Sequence, residues 1–432
     1  MNGVKKSDRK EAINAIVKIS LPAIASMAVE TILGFVDTFW VSKLGVEAVS
    51  AISASWYLLW VVFSVVDIIA VGLVSLAAYY KGKEDSKELS RTFYTAFYSV
   101  LFLSLLLSGF LLTKLFSYAF IFKVSLKERL WIMDYLIVQL VFLPIAGLYY
   151  IFSSYYEGLG ETPRVFRSSV LVLILNAILD PIFIFSAGLG LKGAALASAV
   201  SRTAGVIYLW REVKLRYRGF SSRILLETIT IGAPSSIYWL VATGVFIYLN
   251  SLASSINPFS VAAMGIGVRY ETLPYIISMG ISIAASAIVG QSKGAENFER
   301  LKDSSNFSLK LITYISIVIG TVFFLFSKTL VSPFLQGEAA RIASIYLKIS
   351  AFSQIFFSLS IVFEGIFIGM GLTAFPLGIA VVVILSRIPL ALLHRSLLWM
   401  FVVFPVSNFV ICLIFYGYFR QSLNKFLTLS TS

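Results

Sequence analysis

The sequence predicts an all-α polytopic membrane protein with 12 transmembrane helices in two pseudo-symmetric six-helix bundles around a central cavity. Three observations predict it. The 432 residues are 58% hydrophobic and only 13% charged, with a mean hydropathy of +0.89, whereas a soluble domain carries about 25% charged residues. Apolar runs of about 20 residues recur along the whole length, each long enough to cross a hydrocarbon core of ~30 Å as a helix. The second half also repeats the first at a shift of 212 residues.

Backbone groups in lipid must be satisfied within their own segment, so these runs are helices. The alternating pattern of an outer-membrane barrel is absent. Hydropathy places the first six spans near 14–41, 47–78, 90–112, 131–155, 164–186 and 190–212. The second six lie near 226–253, 259–291, 306–327, 341–370, 374–393 and 397–419. Turn residues and charges mark the loops, as in Lys81-Gly82-Lys83-Glu84-Asp85 and Gly158-Leu159-Gly160-Glu161-Thr162-Pro163.

Charge sets the orientation. Loops on the side of the N-terminus collect about 20 Lys and Arg, against about 9 on the other side, where Lys43, Lys123, Lys192 and Arg395 fall. Positive-inside bias then puts both termini in the cytoplasm of a multi-pass protein of the cell membrane. The net charge of +13 is spread over these short loops and is not gathered into a nucleic-acid surface. The basic start (Lys5, Lys6, Arg9, Lys10) is followed by an apolar run too long for a cleavable signal. A single cysteine, Cys412, excludes an internal disulfide, and a single histidine, His394, excludes a multi-histidine metal site.

The repeat sets the domain layout. Leu21-Pro22-Ala23 falls on Ala233-Pro234-Ser235, Val49 on Val261 and Ala51 on Ala263. Lys81-Gly82 and Glu84 fall on Lys293-Gly294 and Glu296 without a gap. At a shift of 211, Gly158-Leu159-Gly160-Glu161-Thr162 meets Gly369-Met370-Gly371-Leu372-Thr373. Six spans per copy run in the same direction, which predicts a pseudo-two-fold axis along the membrane normal. The expected domains are residues 1–212 and 226–432, joined by a cytoplasmic linker at 213–225.

Function is read from the polar residues inside the spans. A carboxylate at membrane depth costs roughly 2.5 kcal/mol or more, yet Asp37 and Asp180 each interrupt an apolar span. Glu30 precedes Asp37 by seven residues, about two turns, so both share a face. Asn176 and Asp180, four apart, also share one. These hard oxygens suit Na⁺, with Asp37, Asn176 and Asp180 as ligands, or a proton shared between acids. Asp67, Glu271 and Glu364 are further acids, with Arg269 a candidate partner for Glu271. Pro22, Pro144, Pro181, Pro234 and Pro389 lie in or beside spans, and a bend at Pro22 could couple to the charge of Asp37. Trp56, Tyr135, Tyr149, Tyr150, Tyr155 and Tyr156 are candidate cavity aromatics, attractive to organic cations. No phosphate loop, zinc-protease helix or nucleophile elbow is present, so neither a nucleotide cofactor nor an enzymatic role is expected.

The segment from Leu21-Pro22 through Val36-Asp37-Thr38 to Leu44-Gly45 resembles the first span of the multidrug and toxic compound extrusion (MATE) transporters. The runs Glu157–Pro163, Asn176 to Asp180-Pro181 and Gly190-Leu191-Lys192-Gly193-Ala194-Ala195 resemble them too, as does Val289-Gly290-Gln291-Ser292-Lys293-Gly294-Ala295. The resemblance covers essentially the whole chain and looks closer to the DinF-like prokaryotic branch. It implies an antiporter exporting organic, often cationic, small molecules in exchange for H⁺ or Na⁺, with Asp37, Asn176 and Asp180 in the cation site. Ser198 stands where relatives commonly carry a threonine ligand, and Glu30 stands where no charge is expected. The repeat places Leu249 and Ala391 opposite Asp37 and Asp180, so the ion site should lie in one lobe only.

The expectation is therefore a cation-coupled efflux antiporter working by alternating access as a monomer among membrane lipids. The alternative is a flippase for lipid-linked oligosaccharides, which would favour a basic cavity. The arginines placed within spans, Arg202, Arg269 and Arg387, are few and unclustered in sequence.

Overall fold

The computed structural model describes residues 2–121 and 124–429. Lys123 lies outside the described residues, as do the side chains of Lys5, Lys6, Arg9 and Lys10. The described chain is all-helical: α1 (Asn2–Ser42), α2 (Val46–Gly82), α3 (Ser86–Ala119), α4 (Leu126–Val141), α5 (Leu143–Gly158), α6 (Thr162–Pro181) and α7 (Gly190–Glu212), then α8 (Ser222–Ile256), α9 (Ser260–Gly294), α10 (Phe298–Val331), α11 (Gly337–Met370), α12 (Ala374–Leu393) and α13 (Leu397–Leu429). Ten helices are long and apolar enough to cross a membrane.

Two expected spans take a more complex form. The span near 131–155 is the bent pair α4 and α5, which meet at 54°. Pro144 sits in the first turn of α5, where its missing N–H costs nothing and its ring blocks continuation of α4. Taken as one span, the pair brings the described residues to 11 helical crossings by length and composition. The span near 164–186 is α6 followed by a π-helical turn, Ile182–Ser186. The sixth expected span is α7, rich in Gly, Ala and Ser and carrying Arg202, and it is not apolar enough to join the set.

Contacts divide the chain into two compact units, Ala25–Gly232 (here the N-unit) and Ala233 onward together with α1 up to Ile24 (the C-unit). In the C-unit, Ile16 of α1 packs with Ala284 and Ile288 of α9, and Gly280 lets α9 approach the backbone of Ile24. In the N-unit, Gly72 of α2 meets Thr228 of α8, and Gly232 meets the carbonyl of Ile68. These contacts obey the repeat: Ile16 corresponds to Thr228 and Gly72 to Ala284. Small residues at such crossings let backbones approach closely in lipid.

The loops repeat down to single bonds. Lys81 Nζ donates to the carbonyl of Leu159, and Lys293 Nζ donates to that of Met370, both at 2.5 Å. Asp85 caps α3 by accepting from the amide of Glu88, and Asn297 caps α10 by accepting from that of Arg300. Glu84 and Glu296 both take left-handed backbone, at φ 60° and 55°. A Cβ at Gly158 would stand 2.6 Å from the carbonyl of Val74, and one at Gly369 would stand 2.6 Å from that of Ser286.

Candidate cation site

The expected acid cluster assembles within the N-unit. α1 carries Asp37, α6 carries Asn176 and Asp180, and α7 carries Ser198. Asn176 and Asp180 are fully buried, Asp37 is 9% exposed and Ser198 is 7% exposed. Asn176 Nδ2 points to Asp180 Oδ1 at 3.5 Å and to Ser198 Oγ at 3.4 Å. The carboxyl groups of Asp37 and Asp180 lie within hydrogen-bonding reach of each other.

Three oxygens of this group, Asp37 Oδ1, Asn176 Oδ1 and Asp180 Oδ2, are buried without a hydrogen-bond partner. Buried polar atoms are rarely left so. Two carboxylates held together out of water repel one another, and a proton or a small cation between them removes that repulsion. Among the described residues no cluster of three or more His, Cys, Asp or Glu groups forms a metal site. A Na⁺ reading therefore rests on this mixed set of two carboxylates and an amide.

The backbone here departs from the regular α-helix. Pro181 cannot donate to the helix ladder, and the chain continues as the π turn directly after Asp180-Pro181. Such turns gather at functional positions. Gly193 of α7 packs on it, because a Cβ there would stand 2.6 Å from the carbonyl of Phe183. The π turn had no signature in hydropathy; Pro181 beside an intramembrane acid was the available signal.

The other named residues divide. Glu30 is half-buried beside Ser169 and within Coulombic reach of Arg202, which also acts on Asp37. Tyr135 is 1% exposed and within Coulombic reach of Asp37. Tyr149 is buried and meets Ser169 Oγ at 3.3 Å. Tyr150 is exposed and packs against Phe63 with ring centroids 5.4 Å apart and planes tilted by 34°, while Trp56 is half-buried. Tyr155 and Tyr156 are packed in the N-unit core. Pro22 lies inside an unbroken α1, two residues before the division between units.

One expected pairing fails. Arg269 is exposed, and Glu271 instead accepts hydrogen bonds from Ser350 and Tyr346 of α11. Residues two apart on a helix point about 200° apart, so proximity in sequence misled here. Glu364 is buried in the C-unit, where Ser235 Oγ and Trp239 Nε1 donate to it. Asp67 lies within Coulombic reach of Glu157 of α5, an acid not singled out from the sequence although it opens the Glu157–Pro163 run.

The MatE family model matches the chain twice, over residues 22–182 and 234–393, which is the repeat in its own register. "Probable multidrug resistance protein NorM" of Thermotoga maritima is 25% identical over 90% of this chain and 87% of its own length. The "FAD transporter" of Shewanella oneidensis is 24% identical over 74% of each. A crystal structure of a MATE protein in complex with MaD5 superposes with a TM-score of 0.89 at 21% identity, covering 96% of this chain and 97% of that one. The chain belongs to the MatE family of multi-pass membrane transporters.

Proposed function

We propose that the chain is a cation-coupled antiporter that exports organic, often cationic, small molecules as a monomer, with both termini in the cytoplasm. The observation that carries the reading is the set of three unpaired buried oxygens on Asp37, Asn176 and Asp180. A site of this kind has higher affinity for H⁺ or Na⁺ in one conformation than in another, and only such a difference can drive a cycle. Ion binding from outside neutralises the carboxylates and favours substrate release; loss of the ion inward resets the site. Relatives at similar identity are named for multidrug resistance and for FAD transport, so their names support efflux of organic solutes without fixing one cargo. The arginines within spans, Arg202, Arg269 and Arg387, lie on three different helices and do not favour the flippase alternative.

The test is substrate efflux from proteoliposomes driven by a pH gradient alone and then by a Na⁺ gradient alone. One gradient should drive transport, and Asp180→Asn should abolish it. Coupled transport unchanged in both Asp37→Asn and Asp180→Asn would refute the reading.

A further inference from the structure

The C-unit buries a cation at the place where the N-unit holds its amide ligand. At the shift of 211 that aligns the loops, Asn176 falls on Arg387. Arg387 of α12 is 7% exposed. Its Nε donates to Ser407 Oγ at 2.7 Å, and one terminal nitrogen donates to Asn408 Oδ1 at 2.6 Å, both on α13. Asn408 Nδ2 in turn donates to Ser353 Oγ of α11 at 3.0 Å, and the Phe404 ring lies 5.3 Å from the guanidinium.

All of these partners are neutral. They fix the guanidinium on one edge without cancelling its charge, and among the described residues no carboxylate forms an ion pair with it. Among the described residues its other terminal nitrogen makes no hydrogen bond. A buried, uncompensated charge is costly, and inside a membrane protein it marks a functional position by default. A guanidinium clamped along one edge keeps its remaining donors aligned for a two-pronged contact with a planar or tetrahedral anion. A purely structural clamp between α12 and α13 would need neither the charge nor the free edge.

We propose that Arg387, oriented by Ser407 and Asn408, forms an anion subsite that takes the carboxylate of an organic substrate. The subsite rests on the transport reading above and extends it: within the exported class, Arg387 favours molecules that carry a carboxylate. The phosphate of a lipid with a net negative headgroup offers the same chemistry, and the experiment separates the two sources.

Binding of a zwitterionic fluoroquinolone, its methyl ester and ethidium is measured on the full-length protein in phosphatidylcholine nanodiscs, and again with phosphatidylglycerol added. The expected result is a preference of about tenfold or more for the zwitterion over its ester, consistent with a bidentate charged contact. Arg387→Gln should erase that preference while leaving ester and ethidium affinity unchanged, and Arg387→Lys should keep part of it. Loss of the preference only when phosphatidylglycerol is present would support the subsite with an anionic lipid headgroup as its occupant. No preference in the wild-type protein, an undiminished preference in Arg387→Gln, or equal weakening of all three probes would overturn the subsite. A wild-type protein without the preference overturns the subsite even if Arg387→Gln does not fold, and Arg387→Lys then serves as the second variant. Ethidium efflux, measured in parallel, reports on the transport reading alone.

Discussion

The N-unit and the C-unit are alike where they need to fold and different where they carry charge. Lys81 and Lys293 clasp equivalent carbonyls, and Gly158 and Gly369 admit equivalent crossings. The interior positions have diverged. Asp37, Asn176 and Asp180 of one unit correspond to Leu249, Arg387 and Ala391 of the other, all buried. A duplicated scaffold thus separates two demands. Caps and close contacts hold each copy to the same backbone, while the polar interior of each copy is free to specialise.

The sharpest way to break the comparison is to remove the charge that only one unit has. Asp180→Asn is expected to lower coupled transport by about a hundredfold or more, equivalent to about 2.7 kcal/mol, with thermal stability nearly unchanged because the volume is kept. Asp37→Asn should act in the same direction. Gradient-driven efflux and a melting curve of the same preparation check both.

A second test installs acids in the unit that lacks them. Leu249 is fully buried, and Leu249→Asp should destabilise by roughly 2.5–3.5 kcal/mol, the cost of an acid at membrane depth. Ala391→Asp introduces the same group at a position 1% exposed, but one helical turn from Arg387. The new carboxylate can pair with that guanidinium, so the loss should be clearly smaller. Equal losses in the two variants would show that Arg387 is already neutralised, and would count against the contrast between the units.

Much of this was legible in the sequence because lipid simplifies the code. Long apolar runs name the helices, and an acid inside one, such as Asp37 or Asp180, stands out without any knowledge of packing. The shift that aligns Lys81-Gly82 with Lys293-Gly294 gave the repeat and with it the absence of Asp37 and Asp180 from the second half. What remained hidden depends on which face a side chain occupies and on partners far along the chain. Asp67 and Glu157 come near each other from α2 and α5, and Glu271 turns to α11 and away from Arg269. Hydropathy also averages across the break between α4 and α5, because both sides of the bend are equally apolar.

The shared scaffold makes a matched prediction. Gly158→Ala and Gly369→Ala each drive a methyl to about the same distance, 2.6 Å, from a backbone carbonyl. Overpacking of this kind costs typically about 1–3 kcal/mol. Both variants should lower the melting temperature by similar amounts, and neither should alter the ion dependence of transport. A loss in one alone would show that the two crossings carry unequal load despite equal geometry.

The smallest effect tests the comparison at its finest grain. Asp85 and Asn297 cap α3 and α10 with the same bond to the amide three residues on, one as a carboxylate and one as an amide. Replacing either by Ala should cost about 1 kcal/mol, the usual worth of such a cap. The charged cap also interacts with the helix dipole, which adds about 0.3–1 kcal/mol at low ionic strength and is screened by salt. Asp85→Ala should therefore lose more than Asn297→Ala in dilute buffer, and the gap should close as salt is raised. Melting temperatures of both variants across a salt series measure this directly. A gap that persists at high salt would place the difference in packing around the two loops rather than in the one charge that separates them.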